Sequence, residues 1–112
     1  MSFTYFHAHV YFLPETRPTA LWVRKEVTAW FAVAASQLID TPIGPHPVGM
    51  FEVDFGPREF GALVPWFMAN RRGLSVLVHP RSGDDLRDHT EHALWLGEPL
   101  PLKLDVLGGE GR

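Results

Sequence analysis

Two histidines stand two apart in the run Tyr5-Phe6-His7-Ala8-His9-Val10-Tyr11-Phe12, and side chains two apart on a strand share a face. By the ~3.3 Å rise per residue their backbones lie ~7 Å apart, close enough for both imidazoles to reach one ion or one polar ligand. Tyr11 continues that face. Phe6, Ala8, Val10 and Phe12 alternate onto the other, which is a core face. An open sheet face often carries polar residues with no site behind them, so the pair needs convergent partners. The chain offers several: Glu52 on a second alternating strand, His79 at the end of a third, His46 between Pro45 and Pro47, and His89 with His92 three residues apart.

The remaining elements are read from hydrophobic period and punctuation. After a turn at Leu13 to Pro18, a helix opens near Pro18, whose missing N–H has no partner to lose in a first turn. Its apolar stripe runs Ala20, Val23, Val27, Trp30, Phe31, Ala34 and Leu38, which makes Trp30 and Phe31 core residues. Trp22 falls off the stripe. The Pro- and Gly-rich stretch from Gln37 to Pro47 excludes helix and predicts a short edge strand with a rigid turn. Val48 to Phe55 is the next strand, with Phe51, Val53 and Phe55 against Met50, Glu52 and Asp54. A second helix opens at Pro57 with Phe60, Leu63, Val64 and Phe67 inward, and Pro65 within it predicts a kink or a late start near Trp66. Asn70-Arg71-Arg72-Gly73 closes it with cations at the negative end and a glycine cap. Leu74 to His79 is a β-branched strand stopped by Pro80, with Ser75, Leu77 and His79 on the face of His7 and His9. A short helix over Asp85 to Ala93, capped by Ser82 or Asp84, precedes an extended piece from Leu100 to Leu107.

Composition bounds the function classes. At 112 residues, 46% apolar and 12% aromatic, the chain reads as one folded soluble domain over 1–107 with a disordered tail at 108–112. No cysteine is present, so any metal must be held by histidine and carboxylate. A formal charge of −3 without a basic cluster argues against nucleic acid or an anionic membrane as partner. The chain opens on a strand instead of a leader, and no apolar run reaches the ~18 residues of a membrane span, so a cytoplasmic protein is expected. Phosphate loops, serine elbows and His-Glu-x-x-His helices are all missing.

The order strand, helix, short strand, strand, helix, strand is the α+β ferredoxin-like βαββαβ pattern. It implies a four-stranded antiparallel sheet with two helices on one face, here followed by a C-terminal short helix and extended segment. In that topology the first strand is central, so His7, His9, Glu52 and His79 come together on the helix-free face. The same logic puts His46 by the far end of the first strand, away from His79. Leu77, Met50 and Tyr11 would be left wet on the helix-free face, which predicts a homodimer through that side or its rim. Neutral imidazoles with a carboxylate suit Fe(II), Zn(II), Ni(II) or Mn(II).

Five blocks carry a family resemblance: Phe6 to Phe12, Pro42-Ile43-Gly44-Pro45-His46-Pro47, Val64 to Arg71, Leu77-Val78-His79-Pro80, and Asp88-His89-Thr90 through Trp95-Leu96-Gly97. In this order and spacing the chain resembles the DOPA 4,5-dioxygenase family from about Phe3 to Leu107. The resemblance implies a small dimeric protein and metal-dependent extradiol opening of a catechol such as L-DOPA with O2, Fe(II) being the expected metal and Zn(II) or Ni(II) the alternatives. His9, His46, His79 and His89 fall inside the shared blocks, whereas topology favours His7 over His46. The expected ligands are therefore His9, His79 and His7, with His89 or His46 moving protons and Glu52 and Tyr11 flanking. A cation, Arg81 or Arg72, would meet the amino-acid end of the substrate. A non-catalytic metal- or small-molecule-binding dimer is the alternative.

Overall fold

The computed structural model describes residues 2–108, so all but Gly108 of the expected tail lies outside the described residues. The central strand is β1 (Phe6–Phe12), followed by a 3-10 turn (Pro14–Thr16) and α1 (Arg17–Trp30). Then come β2 (Ala34–Ala35), β3 (Gly49–Phe55), α2 (Pro57–Asn70) and β4 (Val76–Pro80). A one-turn helix α3 (Asp85–Asp88), β5 (Leu94–Leu96) and a 3-10 turn (Leu104–Val106) complete the described residues.

Five strands pair antiparallel in the order β2-β3-β1-β4-β5, which is the ferredoxin-like arrangement with β5 added beside β4. The expected sheet of four strands is thus one short. Trp95 and its neighbours pair with Leu77 and its neighbours instead of linking a helix to a terminal strand. The stretch after it is irregular and turns through Leu104–Val106, so the extended reading of Leu100 to Leu107 does not hold.

Alternation on the strands separates two apolar clusters. Ala8, Val10, Phe12, Phe51, Val53, Val76 and Val78 meet Ala20, Val23 and Val27 of α1 and Leu63, Val64 and Phe67 of α2. This is the main core. On the opposite face Tyr11, Met50 and Leu77 form a smaller cluster, covered by Ile39, Val48, Trp95, Leu100 and Leu102. Leu77 is fully buried, so the chain's own C-terminal segment does what a partner subunit was expected to do. The wet apolar face that argued for a dimer does not exist.

Helix α1 ends earlier than its stripe suggests. Phe31 turns extended, and residues 31–35 alternate in burial with a period of two before Ala34–Ala35 pair with Asp54 and Val53 of β3. Arg24 fixes that turn, its guanidinium donating to the Ser36 and Ala35 carbonyls at 2.6 and 3.1 Å. Trp30, read as core, is instead 72% exposed. In α2 the helix starts at Pro57 and runs through Pro65. Both Pro65 and Gly61, whose carbonyl loses its donor, face solvent, so water can replace the missing bond. Arg72 at φ 52° and Gly73 at φ 83° close the helix. Arg72 lies 3.7 Å from the centre of the Trp22 ring, on the helix side of the sheet.

This packing sets a contrast in stability. Trp30→Ala should change the unfolding free energy by less than about 0.5 kcal/mol, whereas Phe67→Ala should cost about 3–5 kcal/mol. Urea denaturation of the two variants decides it, and a large loss at Trp30 would restore the longer helix.

Candidate metal centre

Register assembles the centre. The β1–β4 pairing sets His7 directly opposite His79, and the β1–β3 pairing sets His9 opposite Glu52 and His7 opposite Asp54. All five side chains leave the helix-free face. His9 Nε2 lies 3.0 Å from His79 Nε2, and the His7 ring sits 5.7 and 5.4 Å from those of His9 and His79.

Two loops then add two more imidazoles. His46 was expected at the far end of β1, and β3 does begin there, with Gly49 opposite Phe12. But the loop folds back over the sheet through a turn in which Gly44 takes φ 56° and the His46 N–H donates to the Ile43 carbonyl at 3.0 Å. The Lys103 N–H holds it from above through the Pro45 carbonyl at 2.8 Å. His46 therefore ends with its ring 4.2 Å from that of His9 and its Nδ1 2.7 Å from the Tyr11 hydroxyl. Strand order places backbones, and it misplaced this side chain because the loop doubles over.

His89 comes from the turn after α3, whose cap is Asp84, accepting the Arg87 N–H at 3.1 Å. The helix is shorter than the expected Asp85 to Ala93. Behind it, buried Asp88 accepts from the Ser82 N–H and Oγ–H at 2.8 and 2.7 Å and from His92 Nδ1 at 2.9 Å. Burial alone would raise the Asp88 carboxyl, but those hydrogen bonds outweigh it and hold its pKa below the usual value. The result is a rigid loop that sets the His89 ring 4.2 Å from that of His79. His92 packs on Phe3 instead, away from the centre.

Burial keeps the rings neutral. It lowers His46 and His79 to about 4, and drives His9 well below the free imidazole value with help from its imidazole neighbours. His7 is lowered by burial, with Asp54 acting against it. Tyr11 is pushed up by burial and stays a phenol. Glu52 rises to about 7 through burial and the adjoining Asp54 carboxylate. Arg81 donates to His7 Nε2 at 3.3 Å from the open side, so it belongs to the centre, and Arg72 does not.

The five imidazoles, Glu52 and Arg81 line a cavity of about 230 Å³, shared with Pro45, Asp85 and Leu107. A larger hollow of about 440 Å³ near Pro14 and Pro42 has only Arg17 and Asp40 as charged lining, and they neutralise each other at 2.6 Å. The donors suit a cation. His7, His9 and His79 offer atoms within 4.8 Å of one another, as do His9, His46 and His89, and a third set combines His7 with Glu52 and Asp54. His9 Nδ1 is buried with no hydrogen-bond partner, and two imidazole nitrogens at right angles on one ion would lie about 3 Å apart, the spacing of His9 and His79. Asp54 and the Asp88 support were not among the expected site residues. Asp54 was readable, since it alternates with Glu52; Asp88 acts only through a fold of the loop.

Comparison with known proteins follows the geometry. The profile of the Dopa 4,5-dioxygenase family matches residues 6–106. The chain is 40% identical over 117 residues to an uncharacterized 21.2 kDa protein of Botryotinia fuckeliana, covering 91% of this chain and 62% of that one. It is 34% identical over 108 residues to the DOPA 4,5-dioxygenase of Amanita muscaria, covering 88% of this chain and 47% of that enzyme. The chain thus spans less than two thirds of either curated relative. A crystal structure from Nostoc punctiforme PCC 73102, named a "putative dioxygenase", superposes with a TM-score of 0.91 at 48% identity, covering 94% of this chain and 91% of that chain.

The neutral rings have a signature in acid. His46 and His79 take up protons at 6.5 when unfolded but only near 4 when folded, so their contribution to stability is complete above 6.5 and drains as the pH falls through 4. Glu52 opposes them, since its rise from 4.5 to about 7 favours the fold at low pH and is lost as pH climbs through 7. Two imidazoles, joined by His9, outweigh one carboxyl. Metal-free protein should therefore gain stability from pH 4.5 to 6.5, by up to about 1.4 kcal/mol per pH unit for each net proton. His46→Gln should flatten the urea-midpoint profile, and a flat wild-type profile would rule out buried neutral imidazoles.

Proposed function

Because this chain belongs to the Dopa 4,5-dioxygenase family, we propose that it is a metal-dependent extradiol dioxygenase that opens the ring of a catechol such as L-DOPA with O2. The observation that carries this reading is the convergence of neutral, buried imidazoles around His9, whose Nδ1 has no partner. His9, His79 and His7 are the proposed ligands, since all three stand on rigid strands and all are buried. Fe(II) is the expected ion, with Zn(II) or Ni(II) as substitutes. Bound there, the metal supplies a common centre for catecholate and O2 and lifts the spin barrier between them.

The chain's own residues do the rest. His79 Nδ1 donates to the Pro80 carbonyl at 2.8 Å and His89 Nδ1 to the Asp85 carbonyl at 2.7 Å, so in the neutral form of each ring the lone pair is on Nε2. His89 can therefore take the proton of a catechol hydroxyl, a role imidazole fills near neutral pH. Pro45 and Leu107 add apolar walls to the cavity. Arg81 forms no ion pair within 4 Å among the described residues, and it stands at the cavity as a site for a substrate carboxylate. In the overall reaction the ring C–C bond beside one hydroxyl breaks and each end takes one atom of O2, giving a carboxyl and an aldehyde. Ring electrons reduce the O2, so no outside reductant is needed.

His9→Ala should abolish metal retention and catechol-dependent oxygen uptake together while circular dichroism stays unchanged, because His9 is not part of the helix-covered core. Full metal content with full uptake would refute the ligand assignment. Arg81→Gln should raise KM about tenfold or more for catechols bearing a carboxylate and leave catechol itself nearly unaffected. Equal effects on both would remove Arg81 from substrate recognition.

A further inference from the structure

The five imidazoles of the centre are not interchangeable, and their hydrogen-bond partners sort them. His79 and His89 each face a backbone carbonyl with Nδ1. A carbonyl only accepts, so both rings carry hydrogen on Nδ1, and in the neutral ring the lone pair is on Nε2. His46 faces a hydroxyl instead. Tyr11 is 2% exposed, its ring stacks on Trp95 with centroids 5.8 Å apart, and the one hydrogen-bond partner of its hydroxyl among the described residues is His46 Nδ1 at 2.7 Å.

From this we infer that the Tyr11 hydroxyl donates to His46 Nδ1 and fixes His46 as the Nε2–H tautomer, making His46 the imidazole that donates into the cavity and excluding it from the ligand set. The reverse arrangement would have His46 Nδ1–H donate to the phenol oxygen, and the buried phenol hydrogen would then have no acceptor, a state proteins avoid. Coordination through His46 Nε2 would push the ring hydrogen to Nδ1, against the Tyr11 hydroxyl, and strand the phenol hydrogen, whereas the same shift in His9 turns its Nδ1–H toward the Glu52 carboxyl. His46 lines the cavity beside His9 on one side, and His89, with its free lone pair, stands beside His79 on the other. One imidazole gives and the other takes. Tyr11 touches neither cavity nor substrate and acts through His46 as a positioning residue.

The inference rests on the dioxygenase reading for its catalytic meaning but not for its structural test. Full-length protein labelled with 15N-histidine, metal-free and then loaded with Zn(II), should show in long-range 1H–15N spectra an Nε2–H pattern for His46 and Nδ1–H patterns for His79 and His89. The His46→Gln spectrum assigns the His46 signals. Tyr11→Phe, which keeps the stacked ring, should release His46 from its single tautomer. His46→Gln should bind Zn(II) within about twofold of wild type, yet its kcat for catechol-dependent oxygen uptake should fall about a hundredfold, the scale of a lost general acid, with KM little changed. An Nδ1–H pattern for His46 in the wild type, an unchanged pattern in Tyr11→Phe, or loss of Zn(II) from His46→Gln would overturn the assignment. If wild type consumes no oxygen with any catechol, the dioxygenase reading falls, while the spectra and the zinc titration still decide the tautomer.

Discussion

An imidazole can be buried cheaply only while it is neutral, and a neutral ring needs an acceptor for its N–H and a donor or an ion for its lone pair. The centre poses that requirement for His7, His9, His46 and His79 at once, with half-buried His89 at its edge, and much of the surrounding structure answers it. Pro80 and Asp85 lend carbonyls, Tyr11 lends a hydroxyl, and Arg81 reaches in to His7. His9 is left over. Its Nδ1 is orphaned 4.0 Å from Glu52 Oε1, a cost of about 1–3 kcal/mol for an unmet buried group. An ion on Nε2 would move the ring hydrogen to Nδ1, where it faces that carboxylate. A carboxylate behind a ligating histidine is the usual way such a ring is oriented.

The same strand that bears this requirement also anchors the core. β1 pairs on both sides, with β3 and β4, so its alternation is transmitted to both neighbours: apolar residues to the helices, imidazoles and carboxylates to the other face. A one-residue slip in either ladder would exchange the two faces. Register is therefore protected by the whole helix-covered core, and the geometry of His7, His9 and His79 inherits that protection. The helix-free face still has to be kept dry near Tyr11 and Leu77, and the segment from Leu100 to Leu107 does this while holding Pro45 in place.

What the sequence disclosed followed from period two. The faces of β1, β3 and β4 and the strand neighbours of His9 were legible because alternation and strand order are local or topological rules. Side chains carried by loops were not: His46 sits between prolines that stiffen the backbone but do not say which way the turn folds. Trp30 was misplaced because a helical spacing of apolar residues continued into Phe31-Ala32-Val33-Ala34-Ala35, where a free edge of β3 outcompeted the helix. Inside that stretch a large-small alternation, Phe31 and Val33 against Ala32 and Ala34, was the available signal. β5 was hidden for the opposite reason, being three residues long. The apolar face is dry because Leu100 and Leu102, whose spacing reads as a strand, fold over it instead.

A division of labour follows between what is fixed by strands and what is held by anchors. His7, His9 and His79 have positions set by ladder hydrogen bonds, so a change elsewhere on the surface can hardly move them. His46 and His89 ride on loops, and each loop has one buried side chain behind it that sets the ring, Tyr11 for one and Asp88 for the other. Asp88 is nearly inaccessible and accepts three hydrogen bonds, so it shapes the loop as a cap shapes a helix end. Substitution of such an anchor should reorient a loop-borne ring and leave the strand-borne imidazoles alone. The fold can thus keep the strand-borne imidazoles fixed while the loop-borne ones are adjusted from outside the cavity, the arrangement that the proposed separation of metal binding from proton transfer would use.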